Sequence, residues 1–310
     1  MKILYYIPGF GNPNTDIKYE ILNHNISYIY NQIKNSFDIC INFYTQPSPN
    51  LISCIQKNHC INKLLVYEKK GILTELFLTN PNNSCINEYD YIFFIFDDVK
   101  MVDIDINELI EIKEKNNFEI LSPKIINSTH YFMNNLSQGV SINNFLEVYL
   151  LLLTPKDFVK FLSIHTVDNK WMWGVDFLFG HYNIKVGVAY NFIAEHMLPS
   201  NGGNKGALEL AKKYLKQYTP YNCFNDIKKK YEPIKNMLQQ EVVAGAPTAT
   251  TEAAVCLSKI IKIEMPPKGK RKAVHSAAAA GITKRRRGRG RKTALHSKLK
   301  RSGIGKGNGK

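Results

Sequence analysis

Between residues 2 and 96, short apolar runs alternate with longer amphipathic stretches, and this alternation restricts the fold more than any other feature of the chain. Residues 2–7 are an apolar run closed by Pro8-Gly9, the pattern of a buried strand. Residues 16–35 carry Ile17, Ile21, Leu22, Ile26, Ile29, Tyr30 and Ile33 at the spacing of one helix face. A second strand is read over 37–44, with a turn at 46–49. A helix around 50–58, a strand at 63–67 and a helix opening at 71–78 follow. Residues 89–96 are the strongest strand of all. This β-α-β-α-β order predicts an α/β domain, with a mainly parallel central sheet and flanking helices on both faces.

The later chain is less regular. A helix is expected over 106–115, and strands over 119–122 and 145–153. A helix over 155–163 should be capped by Thr154, with Pro155 at its first position. A strand at 186–190 leads into an irregular stretch ending at 199–203, before helices at 207–217 and 225–238.

The 310 residues carry a formal charge of +15, but not evenly. Residues 1–240 hold 23 Lys, no Arg and 23 acids, whereas residues 241–310 hold 11 Lys, 7 Arg and 3 acids. The basicity therefore says nothing about residues 1–240. Residues 241–265 read as an Ala/Thr/Pro linker, and 266–310 as a disordered Lys/Arg-rich tail. Residues 268–301 suit a nucleic acid or another acidic surface, and could direct the chain to the nucleus. A solvated tail is the alternative. The six cysteines form no CxxC pair, as expected of free thiols in a reducing, cytoplasmic setting. The apolar run 148–153 is far short of a membrane span.

Four places carry chemistry. Phe96-Asp97-Asp98 closes the strongest strand, and two carboxylates beyond a strand end suit Mg²⁺ or Mn²⁺ with a diphosphate. They equally suit a capped loop. Trp171-Met172-Trp173-Gly174-Val175-Asp176 puts both tryptophans beside a carboxylate, a sugar-binding pattern or an aromatic core cluster. His196 either completes a metal site begun by Asp98 or is a structural histidine. Pro8-Gly9-Phe10-Gly11 allows close approach of a nucleotide, but is neither a dinucleotide fingerprint nor a P-loop. Lys69 and Lys70 neutralise phosphate or are simply solvated.

The order of these pieces adds a further signal. Tyr89-Asp90-Tyr91-Ile92-Phe93-Phe94 with its acidic end, Trp173-Gly174-Val175-Asp176, Gly180, Val186-Gly187-Val188 and the His196…Pro199 pair resemble uncharacterised-domain family 707. That family is a group of glycosyltransferases with a GT-A-like fold, and the resemblance spans about residues 1–203. It implies a nucleotide-diphospho-sugar transferase fold over 1–240 and transfer of a sugar to a carbohydrate or glycoconjugate acceptor. It implies Mn²⁺ or Mg²⁺ on Asp98 and His196, and Asp176 as general base. Pro8, Gly9, Phe10, Lys70 and Asp97 would bind the nucleotide-sugar donor, and Trp173 and Gly174 the acceptor. Two departures stand out: Phe96 replaces the first acid of the family's triplet, and residues 122–144 contain no Arg. An inactive transferase fold with a nucleic-acid-binding tail is therefore a second reading. A glycoside hydrolase using Asp98 and Asp176, which needs carboxylates roughly 5–9.5 Å apart, is a third.

Overall fold

Every residue of β1 (Ile3–Phe10) and β2 (Phe37–Phe43) is buried. Strands covered on both faces read as unbroken apolar runs, and they need helices above and below. The computed structural model supplies both layers. It describes residues 1–11, 15–128, 138–198, 205–223, 225–226 and 235–236. The chain divides into two units, Met1–Thr248 and Ala249–Lys310, and all described residues lie in the first.

Alternate residues of each central strand face opposite sides. Ile3, Tyr5 and Ile7 of β1 join one core cluster; Leu4 and Tyr6 join the other. The same split divides Tyr91, Phe93 and Ile95 from Ile92 and Phe94 in β4 (Tyr91–Ile95). Helices α1 (Thr15–Ile33), α2 (Pro49–Gln56) and α4 (Ile106–Lys115) send Leu22, Ile55 and Leu109 into the first cluster. Helices α3 (Leu73–Thr79), α5 (Pro155–Ser163) and α6 (Leu178–His181) send Phe77, Phe158 and Phe179 into the second.

The sheet is mixed, where a mainly parallel one was expected. Its parallel part is the run β3 (Ile61–Glu68), β2, β1, β4. Beyond β4 the neighbours are β8 (Leu150–Leu153), β6 (Ile120–Ile126), β9 (Val186–His196), β7 (Val140–Asn143) and β10 (Lys235–Asn236). There, among the described residues, only β6 and β9 run parallel; β4·β8, β6·β8, β7·β9 and β7·β10 are antiparallel. Among the described residues, β5 (Val99–Asp103) pairs with β9 alone.

Several sequence expectations are corrected here. The strand read over 145–153 is confined to β8, because residues 144–149 form a loop that sends Phe145 and Leu146 inward. β9 continues six residues past Tyr190, through the stretch expected to be irregular. Its later half alternates, with Phe192, Ala194 and His196 buried and Asn191 exposed. Lys235–Asn236 is a strand where a helix was expected. The remainder of that segment, Pro199, the linker and the basic tail lie outside the described residues. Helix α4 keeps its expected bounds, and α7 (Lys205–Tyr218) slightly exceeds its own. Among the described residues, no helix is long and apolar enough to cross a membrane.

Thr154 caps α5 as the sequence implies, within a capping box. Its hydroxyl accepts from the Asp157 amide at 3.3 Å and donates to the Asp157 carboxylate at 2.7 Å. Asp157 also holds the buried Lys113 Nζ at 2.7 Å, which ties α5 to α4. Thr154→Ala should lower unfolding free energy by about 1 kcal/mol, measured by urea denaturation, whereas Val159→Ala at an exposed position of α5 should be close to neutral.

Candidate active site

The end of β4 brings together three of the residues singled out in the sequence. Phe96 follows the last strand residue, Ile95, and Asp97 and Asp98 occupy the turn into β5. β5 then runs antiparallel to β9 with Val99 opposite His196. The Met197 amide donates to the Asp98 carbonyl at 2.8 Å. That pairing delivers His196, 98 residues away, so that its Nε2 lies 3.2 Å from Asp98 Oδ2.

The two partners differ in how they are satisfied. His196 is buried, and burial by itself disfavours its charge. The hydrogen bond and the negative charge of Asp98, with a backbone hydrogen bond at Asn127, outweigh that and hold its pKa above the usual histidine value. The Tyr149 ring stacks on the imidazole at 4.5 Å, and Phe96 meets Tyr149 edge-on at 5.9 Å. Asp98 Oδ1, by contrast, is buried and has no hydrogen-bond partner. An unpartnered buried carboxylate oxygen is costly. Beside a histidine nitrogen it makes an oxygen–nitrogen donor pair that fits Mn²⁺ or Mg²⁺. Among the described residues, no group of three or more His, Cys, Asp or Glu side chains is placed to hold a metal.

Asp97 points elsewhere. Its Oδ2 accepts from Lys18 Nζ at 2.8 Å and from the Gly11 amide at 3.2 Å, and Lys18 also donates to the Gly11 carbonyl at 2.8 Å. Burial pushes the Asp97 pKa up to about 7, Lys18 works against that, and Asp98 adds to it. Asp97 thus fastens the end of β1 to the end of β4. Gly11, at φ 140°, sits where an L side chain is strained. Lys18 was not recognised in the sequence. Its signal was a lysine on the apolar stripe of α1, beside Ile21 and Leu22.

Pro8, Gly9 and Phe10 lie at a register slip between β1 and β2, and Asn42 Nδ2 donates to the Pro8 carbonyl at 3.2 Å. Gly9 has a steric role: a Cβ there would come within 2.9 Å of Leu73 Cδ1 and collide with the Tyr44 phenol. Tyr44, also missed by sequence reasoning, has its pKa raised by burial and by the charges of Asp97 and Asp98. Its ring borders the bend at Gly9 and lies 3.8 Å from where a Gly11 Cβ would stand. Lys70 is exposed, and its neighbour Lys69 is paired with Glu75 at 2.7 Å.

The tryptophan segment divides. Trp171 and Met172 pack on the second core cluster, whereas Trp173 is half-buried and belongs to neither cluster. The Trp173 carbonyl accepts from Asn169 at 2.9 Å. Gly174 has φ 78°, and a Cβ there would meet the Ala211 backbone of α7 at 2.9 Å. It opens the short 3-10 turn Val175–Phe177, on which Asp176 is buried. The structure thus joins Asp98 to His196, commits Asp97 to Lys18 and sets Asp176 on a separate element.

This architecture is GT-A-like, a fold of the glycosyltransferases. GalNAc-T7, crystallised with UDP, GalNAc and Mn²⁺, matches it with a TM-score of 0.51 at 9% identity, over 74% of this chain and 54% of that one. TarS of S. aureus gives 0.49 at 10% identity over 75% and 46%. A TarS 1–349 structure in complex with UDP gives 0.49 at 12% over 75% and 76%. The chain spans about half the length of GalNAc-T7 and of the longer TarS structure. No family model and no curated protein sequence matches the chain, so the likeness is one of fold and the narrower resemblance to family 707 gains no support from them.

A raised carboxyl pKa costs stability as pH climbs from Asp97's ordinary 3.8 towards about 7, because the unfolded chain gives up its proton first. Lys18 limits that cost. Lys18→Met should therefore destabilise by about 3 kcal/mol at about pH 8. The loss should be smaller at about pH 5.5, where Asp97 holds a proton. Guanidinium denaturation at both pH values measures the difference.

Proposed function

We propose that residues 1–240 form a metal-dependent glycosyltransferase that moves a sugar from a nucleotide-diphosphate donor to an acceptor hydroxyl. The observation that carries this reading is the buried, unpartnered Oδ1 of Asp98 beside His196 Nε2 at the end of β4. Ligands of open α/β sheets bind at such strand ends. Two protein ligands suit Mg²⁺ or Mn²⁺, which commonly keep the rest of their coordination for water and substrate phosphate oxygens. The ion, when bound, supplies positive charge against the leaving diphosphate.

The chain's own residues do the rest. The Pro8–Phe10 bend, Asp97 and Lys70 flank the nucleotide-sugar, and Tyr44 borders the same space. Asp176 accepts the proton of the acceptor hydroxyl. That oxygen attacks the anomeric carbon as the bond to the diphosphate breaks, with inversion. Trp173 offers its face to the acceptor ring, and Gly174 keeps α7 close behind it. Phe96 does not abolish the site in this reading: it packs on Tyr149, which in turn holds the His196 ring. The basic segment 268–301 would add contact with nucleic acid or an acidic surface.

Thermal-shift measurements on the full chain with UDP-, GDP- and dTDP-sugars should show stabilisation that requires Mn²⁺ or Mg²⁺. Asp98→Ala should remove the metal requirement and the stabilisation together. Asp176→Ala should bind donor normally and lose transfer by at least about 100-fold. Donor binding that is indifferent to metal, or full transfer by either variant, would overturn the assignments. Because His196 must release its proton to bind a metal, Mn²⁺ affinity should rise as pH climbs through the raised His196 pKa. Titration by electron paramagnetic resonance from about pH 6 to about pH 8.5 reads this directly.

A further inference from the structure

The acid pair immediately precedes β5, which among the described residues has a single strand neighbour, β9. The Val99 amide donates to the Phe96 carbonyl at 3.2 Å, and further backbone groups of β5 and of Ile104, just past its end, bond to side chains of α1. Asn25 Nδ2 donates to the Val99 carbonyl at 2.8 Å and to the Tyr5 hydroxyl at 3.0 Å. Asn25 Oδ1 accepts from the Met101 amide at 2.9 Å. His24 Nε2 donates to the Met101 carbonyl at 2.7 Å. Tyr28 accepts from the Ile104 amide at 2.7 Å and donates to its carbonyl at 3.1 Å. One face of α1 thus acts as a surrogate strand, and Lys18 extends the same face to Asp97.

Asn25 is the decisive member. It is fully buried, both of its amide donors and its carbonyl oxygen are engaged, and Val99 is covalently next to Asp98. Val99 also stands opposite His196 in the β5·β9 pairing. A shift of the Val99 peptide therefore moves Asp98 relative to His196. We propose that Asn25 is a positioning residue of the Asp98–His196 pair: it sets the register of β5 that holds the two side chains in reach of one ion. This deepens the transferase reading and rests on it for its consequence, while the positioning is a property of the chain alone.

Asn25→Asp keeps the acceptor for Met101 and loses both donors. Asn25→Ser, which adds no buried charge, replaces it if the first variant does not fold. Tyr28→Phe loosens the chain at Ile104, just past the end of β5 and away from the pair, and reports mere structural weakening. Two measurements are made on the full chain: Mn²⁺ affinity by electron paramagnetic resonance, and metal-free crystal structures. The Asn25 variants should weaken Mn²⁺ binding by about 10-fold or more, with the pair opened beyond its 3.2 Å contact. Tyr28→Phe should lower the melting temperature and leave both measurements unchanged. A folded Asn25 variant with wild-type Mn²⁺ affinity and an intact pair overturns the proposal, as does an equal loss of affinity in Tyr28→Phe. If the wild-type chain binds no Mn²⁺, the transferase reading fails, and the metal-free structures alone decide whether Asn25 positions the pair.

Discussion

The antiparallel pairing of β5 with β9 is the interaction on which the candidate site depends. β9 gives one edge to β6 and divides the other between β7 and β5. Its register with β6 slips at Pro123/Lys124, where Ala189 is followed as partner by Ile193. A proline has no amide to give to a ladder, and extra residues in a strand bend it. The bend lets one strand serve two neighbours on the same edge, and its last residue reaches Asp98. Without that pairing, Asp98 and His196 are two unrelated positions.

Buried polar groups hold this arrangement in place. Lys18 with Asp97, Lys113 with Asp157 and Asn25 with the β5 backbone each sit where apolar side chains would otherwise pack. Taking such groups out of water is costly, and a complete set of partners offsets the cost. What the interactions add is a unique geometry. Asn25 and Lys18 fit one placement of the turn 96–98, and a slipped β5 would leave both unsatisfied. The exception is Asp98 Oδ1, the one carboxylate oxygen among the described residues that is buried without a partner. Asp97 beside it is held by Lys18 and Gly11, so the two adjacent acids differ sharply in how they are satisfied.

Much of the fold was legible in the sequence because it rests on local periodicity. The unbroken apolar runs of β1 and β4, the largely apolar β2 and the helical spacing of α1 and α4 need no knowledge of their neighbours. Thr154 before Pro155 gives the start of α5 by chemistry confined to four residues. The mixed second half of the sheet was not legible. Leu150–Leu153 is a four-residue run compatible with either strand direction, and only its partners β4 and β6 decide it. β5 was unreadable for a similar reason: a five-residue strand starting one residue after an acidic turn has too little pattern to stand out.

The sequence by itself determined a βα-alternating domain with a charge-neutral body, and an acidic pair at the end of its most apolar strand. These follow from composition and spacing, which act within a few residues. The tertiary structure decided what each of the two acids does. Asp97 is turned to Lys18 and Gly11, and Asp98 to His196, although they are adjacent and chemically alike. Neighbouring residues in a turn point in different directions. Which direction meets a lysine and which a histidine is set by α1 and β9, elements 79 and 98 residues away in the chain as measured from Lys18 to Asp97 and from Asp98 to His196.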